Sequence, residues 1–173
     1  ALDLTRAAVK VSPVVADKVE IGGKAVGLVR VATFSQETAS QVVDALRDLP
    51  VSGVDAVALD LRGNAGGYMP AGVDVAKLFL PPQATVISEV KRDGTATKYM
   101  SEGIGSETKV PLFLLVDSKT ASASEILAAA LQDNGRATLV GPTKTFGKGR
   151  IQNVQQMEDG SGVAVTKAKY MTP

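Results

Sequence analysis

Val110-Pro111-Leu112-Phe113-Leu114-Leu115-Val116 is followed, after the polar turn Asp117-Ser118-Lys119-Thr120-Ala121, by Ser122-Ala123-Ser124-Glu125-Ile126-Leu127-Ala128-Ala129-Ala130-Leu131-Gln132. The first run is apolar without alternation, the pattern of a strand covered on both faces. In the second, Ile126, Leu127, Ala130 and Leu131 recur at helical spacing and predict a helix over 122–132. A strand, a tight turn and a helix in succession form the repeating unit of a layered α/β structure. The same unit stands upstream: 54–61 reads as a strand that runs into Gly63-Asn64-Ala65-Gly66-Gly67, after which Val73, Ala76, Phe79 and Leu80 mark a short helix closed by Pro81-Pro82.

Working outward, 25–31 reads as a buried strand, and Val42, Val43, Leu46 and Leu49 predict a helix over 41–49 that Ala39 extends and Pro50 stops. Residues 85–90 and 95–99 predict a hairpin turned at Asp93-Gly94, and 101–109 a polar loop. A strand over 137–140 precedes the loop that holds Lys148, and 151–155 with 163–169 form a second hairpin around Asp159-Gly160. The expected architecture is α/β, with parallel strands, right-handed crossovers and some antiparallel hairpins. Loops at the carboxyl ends of parallel strands are where such structures build sites, and both 63–67 and 117–121 lie there.

Composition narrows the function. The chain has 173 residues, 45% of them hydrophobic, enough for one sizeable core. Nineteen basic residues against eighteen acidic ones leave no electrostatic footprint for nucleic acid, and the lack of Trp argues against a base-stacking surface. No apolar run reaches the roughly 18 residues of a membrane span, so a soluble protein is expected. Residues 1–6 lack the pattern of a signal peptide, and removal of any targeting segment is expected.

The chain contains neither histidine nor cysteine, which excludes a Ser-His-Asp triad, a thiol nucleophile and the usual transition-metal cages. A serine activated by a lysine remains possible. Ser122 stands at the predicted start of a helix, where the Ala123 N–H can face a developing oxyanion. An ordinary N-cap serine is the plainer reading of the same position. Ser124 is two helical positions on, rotated by about 200° to another face. Lys148 lies in Phe146-Gly147-Lys148-Gly149. A lysine that acts as a base must be neutral, and burial beneath Phe146 is the expected means of keeping water away; a solvated Gly-Lys-Gly turn is the alternative. A phosphate-binding loop fits poorly, because Gly149 stands where Ser or Thr is required. The glycines of 63–67 could present backbone N–H groups to an anion, or form a tight turn and nothing more.

In this order the motifs resemble the carboxyl-terminal processing proteases, also called tail-specific proteases. The likeness is carried by Asp60-Leu61-Arg62-Gly63-Asn64-Ala65-Gly66-Gly67, Thr120-Ala121-Ser122-Ala123-Ser124-Glu125-Ile126, Ala129 through Ala137, Thr145-Phe146-Gly147-Lys148-Gly149, and Asp159-Gly160-Ser161-Gly162 leading to Tyr170-Met171-Thr172-Pro173. The stretch 159–166 looks closest to the photosynthetic branch, which processes a precursor of a photosystem II reaction-centre protein. The resemblance implies a ClpP/crotonase-like layered core and a serine endopeptidase that cuts extended carboxyl-terminal tails through a Ser/Lys dyad. It implies Ser122 as nucleophile, Lys148 as base, Gln152 as the residue that orients the lysine, and the amides of Ala123 and Gly66 as oxyanion donors. It further implies no cofactor and no metal, unstructured tails as partners, a monomer, and an exported compartment, the thylakoid lumen or the bacterial periplasm. Residues 1–14 would be the exit strand of a PDZ-like module, and 15–173 the protease core. A silent peptide-binding module and an acyl-coenzyme A enzyme are the alternatives.

Overall fold

All five residues of β3 (Ala56–Asp60) are buried, because this strand has a neighbour on each side and is covered on both faces. The computed structural model describes residues 12–49, 53–103 and 110–173. It contains β1 (Val14–Ile21), β2 (Lys24–Val31), α1 (Thr38–Asp48), β3, α2 (Met69–Lys77), β4 (Thr85–Lys91), β5 (Ala96–Met100), β6 (Leu112–Leu115), α3 (Ala123–Asp133), β7 (Ala137–Val140), β8 (Arg150–Gln156) and β9 (Gly162–Met171). One sheet has the order β1-β2-β3-β6-β7, with β2, β3, β6 and β7 parallel and β1 antiparallel at its edge. The other has the order β5-β4-β9-β8 and is antiparallel throughout. The structure is mixed α/β, as the repeated strand-turn-helix pattern predicts.

Most elements fall where hydrophobic period places them, and the differences have local causes. β1 is absent from the sequence reading. Its side chains include Asp17, Lys18 and Glu20 and offer a weak apolar pattern, but Gly22 and Gly23 close a two-residue turn at φ +59° and +75° onto β2. A Gly-Gly pair between two strands was the available signal. α2 begins four residues before Val73, because Pro70 sits in its first turn, where a missing N–H costs nothing. α1 starts at Thr38, whose Oγ1 accepts from the Ser35 N–H at 2.8 Å. Pro50, residues 1–11 of the expected exit strand, and most of the predicted polar loop (104–109) lie outside the described residues.

α3 ends in a Schellman motif: Gly135 N–H reaches Gln132 O at 2.9 Å, and Arg136 N–H reaches Leu131 O at 2.8 Å, with Gly135 at φ +68°. α2 and α3 approach so closely that a Cβ on Gly72 would stand 2.7 Å from Ala123 O and 3.1 Å from Ala123 Cβ. This contact seats the start of α3 against α2. Gly72→Ala is therefore expected to lower stability by about 2 kcal/mol through overpacking; a urea unfolding midpoint equal to that of the parent would contradict it.

Candidate active site

β3 and β6 are adjacent and parallel, so the turns that leave their carboxyl ends meet. Four hydrogen bonds stitch them together. Gly63 N–H is given to the Asp117 carboxylate at 3.0 Å, Thr120 Oγ1 donates to Leu61 O at 2.9 Å, and Asn64 O accepts from Ala121 N–H at 3.0 Å and from Ser124 Oγ at 3.1 Å. Asn64 is itself buried and donates to Val31 O at 2.7 Å. Ser124 is thereby consumed in structure, on a different face from Ser122. The hydrogen bonds of Asp117 to the amides of Gly63, Lys119 and Thr120 and to the Thr120 hydroxyl hold its carboxyl below the usual range.

Asp60, at the end of β3, fixes the next loop. Burial alone would raise its pKa, but hydrogen bonds from the Arg62 side chain and N–H, with the charges of Arg62 and Arg30, outweigh burial and lower it. A carboxyl depressed in the folded state contributes stability that is present above the unfolded value near pH 4 and lost as pH falls through the folded value. Asp60→Asn should flatten the acid limb of a melting-temperature profile below about pH 4; an unchanged acid limb would remove Asp60 from that role.

Ser122 occupies φ +58° and ψ −116°, a region that non-glycine residues avoid. Such strain costs about 1–3 kcal/mol and persists only where the surroundings impose it. Its cause is visible: Gly66 approaches so closely that a Cβ there would lie 2.7 Å from Ala121 O and from Ser122 Cβ. The Ser122 and Glu125 pair has the layout of a capping box, but only the carboxylate half is a well-formed hydrogen bond, from Ser122 N–H to Glu125 Oε2 at 2.9 Å. Glu125 N–H goes to the Ser122 carbonyl, and the Ser122 hydroxyl makes no hydrogen bond among the described residues.

Glu125 is the residue whose importance sequence reasoning missed. It is buried, and its carboxylate also accepts from Thr145 Oγ1 at 2.8 Å, Gly147 N–H at 2.5 Å and Lys148 N–H at 2.9 Å. One side chain thus binds both the turn of Ser122 and the loop of Lys148. A Glu three positions after a Ser at a helix start was the signal. Tyr170 adds a second tether, since its hydroxyl donates to Lys148 O; burial and the Glu125 charge raise its pKa and keep it a donor.

Ser122, Lys148, Gln152 and Gly67 line one cleft of about 990 Å³. Two expectations need correction. Gly66 N–H is already given to Asn64 Oδ1 at 2.8 Å, whereas the Gly67 N–H has no hydrogen-bond partner among the described residues and borders the cleft with Ser122. Lys148 is exposed, and Phe146, at 67% exposure, does not cover it. The Gln152 amide lies 3.5 Å from the hydroxyl of Thr166, its cross-strand partner, next to the bulge between Ile151 and Gln152. The Ala123 N–H, at the start of α3, has no hydrogen-bond partner among the described residues.

The sequence model described as Peptidase family S41 matches residues 25–173. The chain belongs to peptidase family S41. A carboxyl-terminal-processing protease of Synechocystis is 48% identical over 171 residues, which cover 98% of this chain and 39% of that protein. Carboxyl-terminal-processing peptidase 3, chloroplastic, of Arabidopsis thaliana is 44% identical over 147 residues, 85% of this chain and 28% of that protein. A solved photosystem II D1 C-terminal processing protease superposes with a TM-score of 0.81 at 38% identity, covering 97% of this S41 chain and 46% of its own. The chain therefore spans less than half the length of these relatives.

Glu125→Gln keeps the size of the side chain and puts an amide NH₂ where an acceptor is needed. It is expected to cost about 2 kcal/mol and to raise amide hydrogen exchange at Gly147 and Lys148 above the parent rate. Unaltered exchange in that loop would show that Glu125 does not hold it.

Proposed function

We propose that this chain is the catalytic core of a serine endopeptidase that cuts extended protein tails near their carboxyl terminus. The observation that carries this reading is the free Ser122 hydroxyl, held on strained backbone in the cleft that Lys148 also lines, with Glu125 joining the two segments. The S41 membership and the names of the relatives support the substrate class.

In the reaction, neutral Lys148 Nζ takes the proton of Ser122 Oγ as that oxygen attacks the scissile carbonyl. The oxyanion receives the N–H groups of Ala123 and Gly67, the latter in place of Gly66. Lys148 returns the proton to the leaving amine, an acyl-enzyme remains, and water releases it. Serine and lysine supply nucleophile and base, so the chemistry calls for no cofactor or metal, and both come from one chain, which supports a monomer.

Arg150 through Gln155 line the cleft as six consecutive residues. Side chains alternate across a strand, so a consecutive run means that the backbone edge of β8 borders the cleft. β8 is the outer strand of its sheet, and an extended tail can pair with it by main-chain hydrogen bonds. Gln152, on this strand, is read as the residue that orients Lys148 once a substrate displaces its long contact with Thr166.

The layered core is read as ClpP/crotonase-like, residues 1–14 as the exit strand of a PDZ-like module, and 15–173 as the protease core. The chloroplastic name of a relative and the photosystem II protease support an exported compartment, the thylakoid lumen or a bacterial periplasm, and a reaction-centre precursor as the type of substrate. The exposure of Lys148 favours a second reading, a module that holds tails without cutting them.

Ser122→Ala should retain the parent melting temperature and lose cleavage of an unstructured peptide by about 10⁴-fold or more. Lys148→Arg should lose it similarly, because a guanidinium does not give up its proton. Mass spectrometry should find a covalent adduct of a serine-directed phosphonate on Ser122 in the parent. An active Ser122→Ala protein would overturn the assignment, and peptide binding without adduct or turnover would favour the silent module.

A further inference from the structure

A second cavity, of about 820 Å³, opens on the other side of Lys148. Its lining includes Ala65 and Ala121, Phe146 forms an exposed apolar wall, and Lys119 and Arg150 supply two cations beside Lys148. Lys148, Arg150 and Gln152 line this cavity and the catalytic cleft alike, so the two are continuous across the base. No carboxylate lines the second cavity. Asp117, next to its Ser118 and Lys119 wall, is turned onto the N–H groups of Gly63, Lys119 and Thr120. Glu89, the one carboxylate of the catalytic cleft, is buried, accepts from Tyr99 at 3.1 Å and lies 3.5 Å from Lys167. Among the described residues Lys119, Lys148 and Arg150 form no ion pair.

The charge is local. The whole chain carries a formal net charge of only +1, so Lys119 and Arg150, unpaired around one cavity beside the candidate base, are a local asymmetry against a neutral background. Lys148 is already assigned to the reaction. Lys119 and Arg150 have no role in it, and they hold their charges where a chain running along β8 would pass. A small apolar floor with a cationic rim accepts a short stem that ends in an anion.

We propose that Arg150, assisted by Lys119, forms a subsite for a carboxylate of the substrate tail beside the scissile bond. The proposal rests on the peptidase reading above. The carboxylate has two sources, an Asp or Glu side chain flanking the cut, or the free α-carboxylate of a tail that ends there. Arg150 is a specificity residue and takes no part in bond cleavage: the guanidinium offers a planar fork that a carboxylate fills with two hydrogen bonds, and the Lys119 ammonium adds a second positive charge across the cavity.

The test uses labelled peptides of Ala, Ser and Leu, first cut by the parent chain to locate the bond by mass spectrometry. Peptides with Asp or Glu on either side of that bond are then compared with Asn or Gln, each with a free or an amidated carboxyl terminus. Acidic side chains, or a free terminus when it falls within two residues of the cut, should raise kcat/KM about fivefold, the size of an exposed ion pair, mainly through KM. Arg150→Gln should bring the ratio of kcat/KM for acidic over neutral peptides to about one, Arg150→Lys should restore part of that ratio, and raising NaCl tenfold should weaken it in the parent. The side-chain and terminus arms identify the source. Anisotropy of the same peptides on Ser122→Ala protein gives the preference independently of turnover. Equal preference in the parent and in Arg150→Gln overturns the subsite, as does no preference in the parent. Failure of every peptide to be cut overturns the peptidase reading instead, and the binding preference still decides for or against the subsite.

Discussion

The buried carboxylate of Glu125 is the point through which the two reactive segments are connected. Ser122 stands at the head of a helix anchored in the parallel sheet, whereas Lys148 stands in an exposed loop that leads into the second sheet. A loop of this kind, with glycine on both sides of the lysine, has little to hold it. Four donors from the two segments converge on the two carboxylate oxygens, and an ionised acceptor strengthens each of those bonds. The arrangement ties Ser122 to Lys148 by a short covalent path from Glu125 back to Ser122 and a hydrogen-bonded path forward to the Lys148 N–H.

The strain at Ser122 becomes intelligible in this setting. Asn64 is locked by its own hydrogen bonds to Val31 and Gly66, and its carbonyl holds both Ala121 and Ser124. With residues on both sides pinned and Gly66 pressed against it, Ser122 has no room to relax into ordinary helical geometry. In this strained conformation the hydroxyl makes no well-formed capping hydrogen bond of the kind a serine at a helix start normally makes. The same packing commits the Gly66 amide to Asn64 and leaves that of Gly67 available, so the loop divides its glycines between holding the turn and facing the cleft.

The second sheet contributes a wall and a charge pattern. β9 joins β4 only over Lys91 to Ser88, and beyond that register β8 and β9 run on as a ribbon exposed on both faces. Val154, Val163 and Val165 are correspondingly exposed. One edge of the ribbon lies along the cleft and carries Arg150 at its start, adjacent to Lys148. Main-chain pairing on an edge is indifferent to sequence, so under the proposed function discrimination between tails would fall to side chains that line the cleft, such as Arg150.

Much of this was legible in the amino-acid order. Apolar runs without alternation at 56–59 and 110–116 marked the central parallel strands, because a strand covered on both faces needs no alternation. The Asp93-Gly94 and Asp159-Gly160 turns marked the hairpins, because glycine there takes a positive φ. The lack of histidine and cysteine excluded a Ser-His-Asp triad and a thiol nucleophile and left a serine activated by a lysine possible. β1 escaped because half-exposed, charged edge strands carry a weak apolar signal. What only the tertiary structure decided is which groups remain free: Gly66 or Gly67, Ser122 or Ser124, Lys148 covered or open to water. Those choices depend on partners that are remote in sequence, Asn64 for Ser124 and Glu125 for Lys148, and hydrogen bonding between distant segments leaves no period in the chain that contains them.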